Sequence, residues 1–175
     1  MLGGMSDDRL VLGAPDAPVT VTEYGDLECP YCRAAEPVLR RLVEESDGGV
    51  RLVWRHFPLF QVHPHALIAA LAAEAAAEQG RFWEMQRLLF GQQDRLAEPD
   101  LRAAGARLGL DPDAVAGPGA QRFADRVEAD YVEGLGRGVR GTPTLFVGGE
   151  QYRGPLELAP LRAAVARALP GGAGA

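Results

Sequence analysis

The chain lacks the features that define several common classes of protein. Its 175 residues carry a formal net charge of −6 and no long basic run, so we expect no nucleic-acid partner. No uninterrupted apolar stretch reaches the ~18–20 residues of a membrane span, and the Ala-rich run at 66–77 is broken by Glu74. The first residues show neither the basic nor the apolar segment of a secretory signal. This predicts a cytoplasmic protein, or a periplasmic or secreted one whose signal has been removed.

Cysteine is also scarce: the sequence has two, and both lie in the tetrad Cys-Pro-Tyr-Cys at 29–32. A disulfide across two intervening residues closes a very small loop, so it would stabilise the fold little. Two thiols alone cannot fill a structural zinc site, which takes four ligands. The pair therefore predicts redox chemistry, with a Cys29–Cys32 disulfide as the redox group and no separate cofactor or metal. The three histidines, expected in loops or at helix starts and not as metal ligands, are His56, His63 and His65.

The order of predicted elements indicates a single α/β domain over 1–175. Residues 19–24 alternate apolar and polar side chains as a strand does, a helix is predicted from Pro30 to about Glu45, and a second strand covers 50–57. This order suggests a parallel βαβ unit. Strand signals return at 144–147 and 150–153, joined by a Gly-Gly hairpin turn, and a helix over 156–169 closes the chain.

Between these two halves the pattern is helical. Helices are predicted at 65–79, 81–90, 99–108 and 121–135, with a short capped turn at 111–112 and a break at Gly117-Pro118-Gly119. The expected architecture is therefore an α/β layer with an all-helical insertion at about 63–137, between a first part at about 10–62 and a second at about 138–170.

The tetrad occupies a chemically favourable place. Pro30 suits the first turn of a helix, so Cys29 is expected at the helix N-terminus. Unpaired N–H groups and the helix dipole stabilise negative charge there, which biases Cys29 towards the nucleophilic thiolate. Cys32 faces the same side and is placed to attack a mixed disulfide formed at Cys29. Pro30 and Tyr31 are expected to tune the redox potential.

Glu23 is the next informative residue, six positions before Cys29 and on the same strand face as Val19 and Val21. If that face is buried, the carboxyl group has a raised pKa and is placed to accept a proton from Cys32. The alternative is an edge-strand glutamate that reaches solvent. Glu28, beside Cys29, is expected to be exposed and to disfavour the thiolate slightly.

Three motifs in this order resemble the bacterial DsbA-like disulfide oxidoreductases. They are Glu-Tyr-Gly-Asp-Leu-Glu-Cys-Pro-Tyr-Cys at 23–32, Trp-Arg-His-Phe-Pro-Leu at 54–59, and Gly-Val-Arg-Gly-Thr-Pro-Thr-Leu-Phe-Val-Gly-Gly at 138–149. The resemblance covers about 10–169 and implies a thioredoxin fold whose helical insertion is the block described above.

The resemblance also implies roles. Cys29 corresponds to the exposed attacking cysteine, Cys32 to the buried resolving cysteine and Glu23 to the buried acid. Thr142-Pro143 corresponds to the cis-proline loop that faces the dithiol and pairs its backbone with a substrate peptide. Two departures from the strongly oxidising periplasmic prototype stand out, since that protein has valine at the position of Thr142 and histidine at that of Tyr31. With Glu28, they predict a less oxidising protein.

The leading hypothesis is a protein-disulfide oxidoreductase that exchanges disulfides with protein or peptide substrates, in a direction set by its recycling partner. That partner is expected to be a thioredoxin-type system, glutathione or a membrane oxidase. Two alternatives remain open. One is a chaperone-like polypeptide-binding module with a redox-sensing dithiol, and the other is a glutathione-dependent, glutaredoxin-like reductase, whose family shares the Cys-Pro-Tyr-Cys motif but is much shorter.

Overall fold

The computed structural model describes residues 10–171. The predicted absence of a signal rests on residues 1–9, which lie outside the described residues, as do residues 172–175. No helix within 10–171 combines the length and apolar character needed to cross a membrane.

A five-stranded mixed sheet forms the centre of the fold. Its strands are β1 (Val11–Leu12), β2 (Val19–Gly25), β3 (Val50–His56), β4 (Thr144–Val147) and β5 (Glu150–Tyr152), in the spatial order β1-β3-β2-β4-β5. β2 and β3 are parallel, as the predicted βαβ unit requires, and the other three pairings are antiparallel. The predicted α/β thioredoxin-type fold with a helical insertion is confirmed.

Two helices cover one face of this sheet. α1 (Pro30–Glu44) connects the parallel strands, and α7 (Leu158–Ala168) packs beside it. The apolar residues of β2 and β4 on this face meet those of the two helices, and the buried set includes Val19, Val21, Leu39, Leu145 and Leu161. Burying this face is what fixes the start of α1 at the carboxyl end of β2.

The helical block lies between β3 and β4. Its helices are α2 (Ala66–Ala77), α3 (Phe82–Phe90), α4 (Glu98–Arg107), α5 (Pro112–Val115) and α6 (Ala124–Gly136). The predicted break after the short turn is present, because α5 ends at Val115 and Gly117 has a φ of +69°, but Gly117–Phe123 then forms a 3₁₀-helix that was not predicted and that leads directly into α6. Ala120 and Phe123 are buried against the neighbouring helices, so tertiary packing outweighs the poor helix propensity of glycine and proline.

Three glycines shape the sheet. Gly148 and Gly149 have φ values of +59° and +92°, which is the backbone of the predicted two-residue hairpin between β4 and β5. Gly25 ends β2 where a Cβ would lie 2.2 Å from the Trp54 ring. Glycine there lets the large indole pack under the turn that leads to the tetrad.

Candidate active site

The tetrad lies where β2 passes into α1. Cys29 is the N-cap residue of α1 and Pro30 is its first helical residue, as predicted. The Cys29 N–H donates to the Asp26 carbonyl at 3.1 Å, and the Cys29 carbonyl accepts the first helical hydrogen bond from Arg33 at 3.1 Å. Both cysteines are free thiols. Backbone pairing on each side therefore fixes the attacking residue at the positive end of the helix.

Cys29 itself is 2% exposed, so the expectation of an exposed cysteine is wrong. The loop that contains Thr142 covers it, and the Cys29 Sγ lies 3.5 Å from the Thr142 carbonyl oxygen. The outer surface at this point is formed by Pro30 and by Tyr31, whose side chain is 71% exposed.

The surroundings of Cys29 lower its pKa to about 5. The largest cause is the hydrogen bond from the Cys32 thiol, which outweighs the opposing effect of burial, and the Thr142 side chain and the nearby backbone N–H groups of Cys32 and Tyr31 lower the pKa further. The Thr142 hydroxyl is buried and has no hydrogen-bond partner within 10–171, so it is free to turn towards a thiolate. This lowering of the Cys29 pKa is opposite in direction to the effect that we expected from threonine in place of valine at position 142.

Cys32 behaves in the opposite way. It is fully buried, and burial raises the pKa of its thiol well above the usual value, followed by the hydrogen bond to Cys29 and by the charges of Glu23 and Cys29. The Asp26 N–H lies 3.5 Å from its sulfur. One sulfur is therefore ready to attack, while the other holds its proton until a base removes it.

Glu23 is only 1% exposed, and it lies on β2 on the same face as Val21, which α1 covers. This confirms the predicted burial. Burial is the largest cause that raises the pKa of Glu23 to about 8, and the charges of Glu36 and Cys29 add to it. Glu23 Oε1 has no hydrogen-bond partner in the described part of the chain. It borders a small cleft that also touches Glu36, Arg40 and Gln86.

The Thr142-Pro143 peptide bond is cis, as the resemblance implies. Both residues are half-buried and immediately precede β4, which is antiparallel to β2, with Glu23 opposite Leu145. The second half of the sheet therefore brings this loop over the start of α1.

A carboxylate that the sequence did not single out organises the turn before Cys29. The Asp26 side chain is completely buried, and it accepts hydrogen bonds from the backbone N–H groups of Glu28 at 2.7 Å and Leu59 at 2.9 Å. Its Oδ2 also lies 2.7 Å from the Nδ1 of His63. Because Leu59 and His63 lie 33 and 37 residues away in the sequence, no local pattern reveals these two contacts.

Glu28 and His65 form a second pair at the same turn. The expected exposure of Glu28 is wrong, since its side chain is 15% exposed and accepts a hydrogen bond from the His65 N–H at 2.7 Å. The His65 Nδ1 lies 3.2 Å from the other carboxylate oxygen. His65 occupies the N-cap position of α2, at the helix start where it was predicted, but its side chain makes no capping hydrogen bond.

His56 lies neither in a loop nor at a helix start, as was expected of the histidines, because it is the last residue of β3. Only 1% of it is exposed. Its Nδ1 accepts a hydrogen bond from the Trp54 indole at 3.1 Å, and its Nε2 lies 3.2 Å from Glu74. No group of three or more metal-ligating side chains occurs among residues 10–171.

The insertion touches the active-site turn directly through Gln93, which the sequence analysis missed. This residue follows α3, and its side-chain N–H₂ donates to the carbonyls of Leu27 at 2.8 Å and Cys29 at 2.9 Å. The helical block thus holds the segment that carries the attacking cysteine.

An apolar surface lies beside the cis-proline loop. A cavity of about 330 Å³ is lined by the segment after β3, by α6 and by Val139 and Arg140. A second of about 400 Å³ continues along α6. The exposed apolar residues on this surface are Phe60, Val62, Leu67, Val132 and Leu135. On α3, the side chains of Phe82, Met85 and Leu89 are buried, and none of these three lines either cavity.

Arg137 and Arg140, which precede the cis-proline loop, differ in their exposure. Arg140 is exposed. Arg137 is half-buried, with its guanidinium 3.6 Å from the centre of the Phe146 ring, so its main contact is a cation–π interaction within the aromatic cluster of the sheet.

Fold and site together define the class: this is a thioredoxin-fold protein with a helical insertion and a dithiol at the start of its first helix. The chain belongs to the thioredoxin family, since a family model described as thioredoxin matches residues 5–167. A solved thioredoxin-like oxidoreductase from Silicibacter pomeroyi is 32% identical, with a TM-score of 0.76, and the alignment covers 92% of this chain and 96% of that one.

The fold also matches proteins of the DsbA type. Oxidised BdbD from Bacillus subtilis superimposes with a TM-score of 0.79 at 22% identity, covering 91% of each chain. The thiol–disulfide exchange protein alpha-DsbA2 from Wolbachia pipientis gives 0.78 at 19% identity, covering 91% of this chain and 90% of that one.

The relatives found by sequence are longer proteins, of which this chain matches one part. It is 50% identical over 160 residues to a Na⁺/H⁺ antiporter NhaA 3 of Salinispora tropica, covering 91% of this chain and 24% of that protein. It is 47% identical over 162 residues to an NhaA 1 of Salinispora arenicola, covering 92% and 25%. The chain thus spans about a quarter of the length of these relatives.

Proposed function

We propose that this chain catalyses thiol–disulfide exchange with protein or peptide substrates, through a mixed disulfide at Cys29 that Cys32 resolves. The observation that carries this proposal is the difference between the two sulfur atoms. The pKa of Cys29 is lowered to about 5, whereas that of Cys32 is raised. Near neutral pH the first sulfur is an anionic nucleophile and the second is a protected thiol.

In the reducing direction, the Cys29 thiolate attacks one sulfur of a substrate disulfide, and the other leaves as a thiolate. Cys32 then loses its proton and attacks the Cys29 sulfur, which releases the second substrate thiolate and leaves the Cys29–Cys32 disulfide. Two electrons pass from the protein to the substrate. The oxidising direction is the reverse of these steps, and the recycling partner decides between them.

Glu23 is proposed as the base that receives the Cys32 proton. A carboxyl group whose pKa is about 8 is closer to a thiol in proton affinity than an ordinary glutamate is. Proton transfer is most efficient between groups of similar affinity. Glu23 is therefore suited to take the proton during resolution and to return it in the reverse reaction.

The substrate is proposed to lie along the cis-proline loop and the apolar surface beside it. Thr142 and Pro143 meet Cys29 on one side, while Val139 and Arg140 border the nearer cavity. An extended polypeptide here would join backbone contacts at the loop to apolar contacts with side chains such as Phe60. This surface also favours the second candidate function, polypeptide binding with a redox-sensing dithiol.

For the compartment and the recycling partner, the predictions from the sequence stand as proposals: the cytoplasm, and a thioredoxin-type system, glutathione or a membrane oxidase. We do not propose antiport for this chain. It matches only about a quarter of each antiporter, and nearly all of this chain matches the thioredoxin family model. We propose that the segment supplies thiol–disulfide exchange wherever it occurs within a longer protein.

Reduction of insulin with a glutathione-based recycling mixture tests the proposal. Wild type should turn over and Cys29→Ser should lose turnover, while both still bind an unfolded polypeptide. Unchanged turnover in Cys29→Ser would contradict the proposal, and polypeptide binding without wild-type turnover would favour the binding module. If Cys32→Ser retains full turnover, glutathione resolves the mixed disulfide and the glutaredoxin-like alternative gains support.

A further inference from the structure

The tetrad has no charged residue between its cysteines, yet a histidine reaches the same turn from another part of the chain. His63 lies in the loop between β3 and α2, and its Nδ1 is 2.7 Å from the Asp26 carboxylate. The His63 side chain is 21% exposed, whereas that of Asp26 is completely buried. The pair therefore runs from the surface into the turn that leads to Cys29.

Asp26 connects this histidine to the backbone of Cys29 and to the sulfur of Cys32. Its carbonyl accepts the Cys29 N–H at 3.1 Å, and its own N–H lies 3.5 Å from the Cys32 sulfur. Its carboxylate also binds the N–H groups of Glu28 and Leu59, so the position of the loop that carries His63 is fixed relative to the turn. A buried carboxylate in the turn that leads to Cys29 would disfavour a thiolate there unless a positive charge compensated it.

We propose that protonated His63, held by Asp26, is a positioning residue that stabilises the Cys29 thiolate from outside the tetrad. It supplies the positive charge that Tyr31 does not provide at the position between the cysteines. The inference rests on the proposed thiol–disulfide exchange and deepens it.

The charges around His63 agree with this geometry. Partial burial lowers the pKa of His63, but the hydrogen bond and charge of Asp26, together with the charges of Cys29 and Glu28, outweigh it and raise the pKa above the usual value. Electrostatic coupling is reciprocal, so a cation whose pKa the thiolate raises must in turn favour that thiolate. The ionisable groups that face His63 are the carboxylates of Asp26 and Glu28 and the thiol of Cys29, and the neighbouring His65 is paired with Glu28.

The consequence is a bias in the redox equilibrium. Reduction of the protein disulfide takes two electrons and one proton, and yields the Cys29 thiolate and the Cys32 thiol. A substrate dithiol supplies both electrons and becomes a disulfide, giving one proton to Cys32 and one to solvent. Stabilising the thiolate stabilises the reduced protein, so a charged His63 makes the protein more oxidising.

The test compares wild type with His63→Gln, in which an uncharged side chain can still donate to Asp26. The ultraviolet absorbance of the thiolate gives the pKa of Cys29, and glutathione mixtures read by alkylation and mass give the redox equilibrium. We expect the pKa of Cys29 to rise in His63→Gln, and the equilibrium to move about tenfold towards the disulfide, equivalent to ~30 mV. His63→Lys, which restores a cation, should recover most of both changes.

His65→Gln is the matched control, because His65 also faces a carboxylate of this turn but is more exposed, at 42%. It should change either quantity by less than half the effect of His63→Gln. Equal titration curves for wild type and His63→Gln would overturn the inference, as would equal shifts in His63→Gln and His63→Lys, since the effect would then come from the loop and not from charge. Failure of the wild type to reduce insulin would instead count against the proposed function.

Discussion

At the scale of single residues, the site is a set of ionisable groups whose proton affinities depart from their usual values. The pKa of Cys29 is lowered to about 5 and that of Glu23 is raised to about 8, although both belong to one buried junction between sheet and helix. The cause differs: Cys29 gains hydrogen-bond donors, whereas Glu23 mainly loses water. Perturbed groups in one place are typical of active sites.

The first prediction concerns the hydroxyl of Thr142. Thr142→Val keeps the shape of the side chain and removes the donor that lowers the pKa of Cys29. The pKa of Cys29 should rise by about one unit, since one hydrogen bond to an anion contributes ~1.5 kcal/mol. Thiolate absorbance measures it, with Thr22→Val on β2 as the control of equal shape. An unchanged pKa in Thr142→Val would show that the hydroxyl does not reach the sulfur.

The second prediction concerns Glu23 and pH. The folded-state pKa of about 8 lies above the usual 4.5, so the folded protein holds a proton that the unfolded chain releases between these values. The free energy of unfolding should therefore fall as pH rises from 4.5 to 8, and this loss should be absent in Glu23→Gln.

Urea denaturation of the disulfide form, which removes thiol titration, measures this effect. Near pH 8, the free energy of unfolding of Glu23→Gln should exceed that of wild type by at most a few kcal/mol. Each unit of pKa shift contributes on the order of 1.4 kcal/mol. The exposed Glu44→Gln on α1 should follow the wild-type pH dependence. Parallel curves for wild type and Glu23→Gln would contradict the raised pKa.

The sequence allowed the burial of Glu23 to be predicted, because alternation along a strand is a local pattern. It did not reveal Asp26, His63 or Gln93 as parts of the site. The contact between Asp26 and His63 spans 37 positions of the sequence, and the contacts of Gln93 span 64 and 66 positions. Only the folded chain brings these residues together. The error on Cys29 has the same origin, since the loop that covers it lies 113 residues further along the chain.

At the scale of elements, strands and helices with strong periodicity were predicted to within a few residues. β2, α1 and β3 each have a clear apolar face, and their bounds nearly match the expected ones. β1 was missed because two residues are too short for alternation to show. The 3₁₀-helix at Gly117–Phe123 was missed because its stability comes from packing and not from local propensity.

The third prediction tests how the insertion holds the active-site turn. Gln93→Ala removes the two hydrogen bonds to the carbonyls of Leu27 and Cys29. The free energy of unfolding should fall by about 1–2 kcal/mol, because a half-buried polar contact is lost. Urea denaturation measures it, with the exposed Gln121→Ala as the control. Equal stability of the two variants would show that the bridge contributes nothing.

At the scale of the whole molecule, a polar cluster joins the sheet to the insertion. The backbone N–H of His56, at the end of β3, donates to the carboxylate of Asp130 on α6 at 2.9 Å. The ring Nε2 of His56 lies 3.2 Å from the carboxylate of Glu74 on α2. Arg126 approaches Glu74 at 3.5 Å. His56 and Glu74 are each 1% exposed, so this pair is buried between the sheet and the helical insertion.

The fourth prediction compares two glutamates at α2. Glu74→Ala should lower the free energy of unfolding by about 2–3 kcal/mol, because it leaves the buried imidazole of His56 without its polar partner. Glu78 is 40% exposed and pairs with Arg122, so Glu78→Ala should cost less than about 1 kcal/mol. Thermal or urea unfolding distinguishes them. Similar losses in both variants would contradict the role assigned to the buried cluster.

The central claim, a mixed disulfide formed at Cys29 and resolved by Cys32, is tested most directly by trapping that intermediate. Each single-serine variant is mixed with a peptide disulfide, and the products are identified by mass. Cys32→Ser should accumulate one peptide linked to Cys29, because the resolving thiol is absent, and Cys29→Ser should form no adduct near neutral pH. An adduct of comparable yield on Cys32 in Cys29→Ser, or no adduct in Cys32→Ser, would contradict the assignment of the two cysteines.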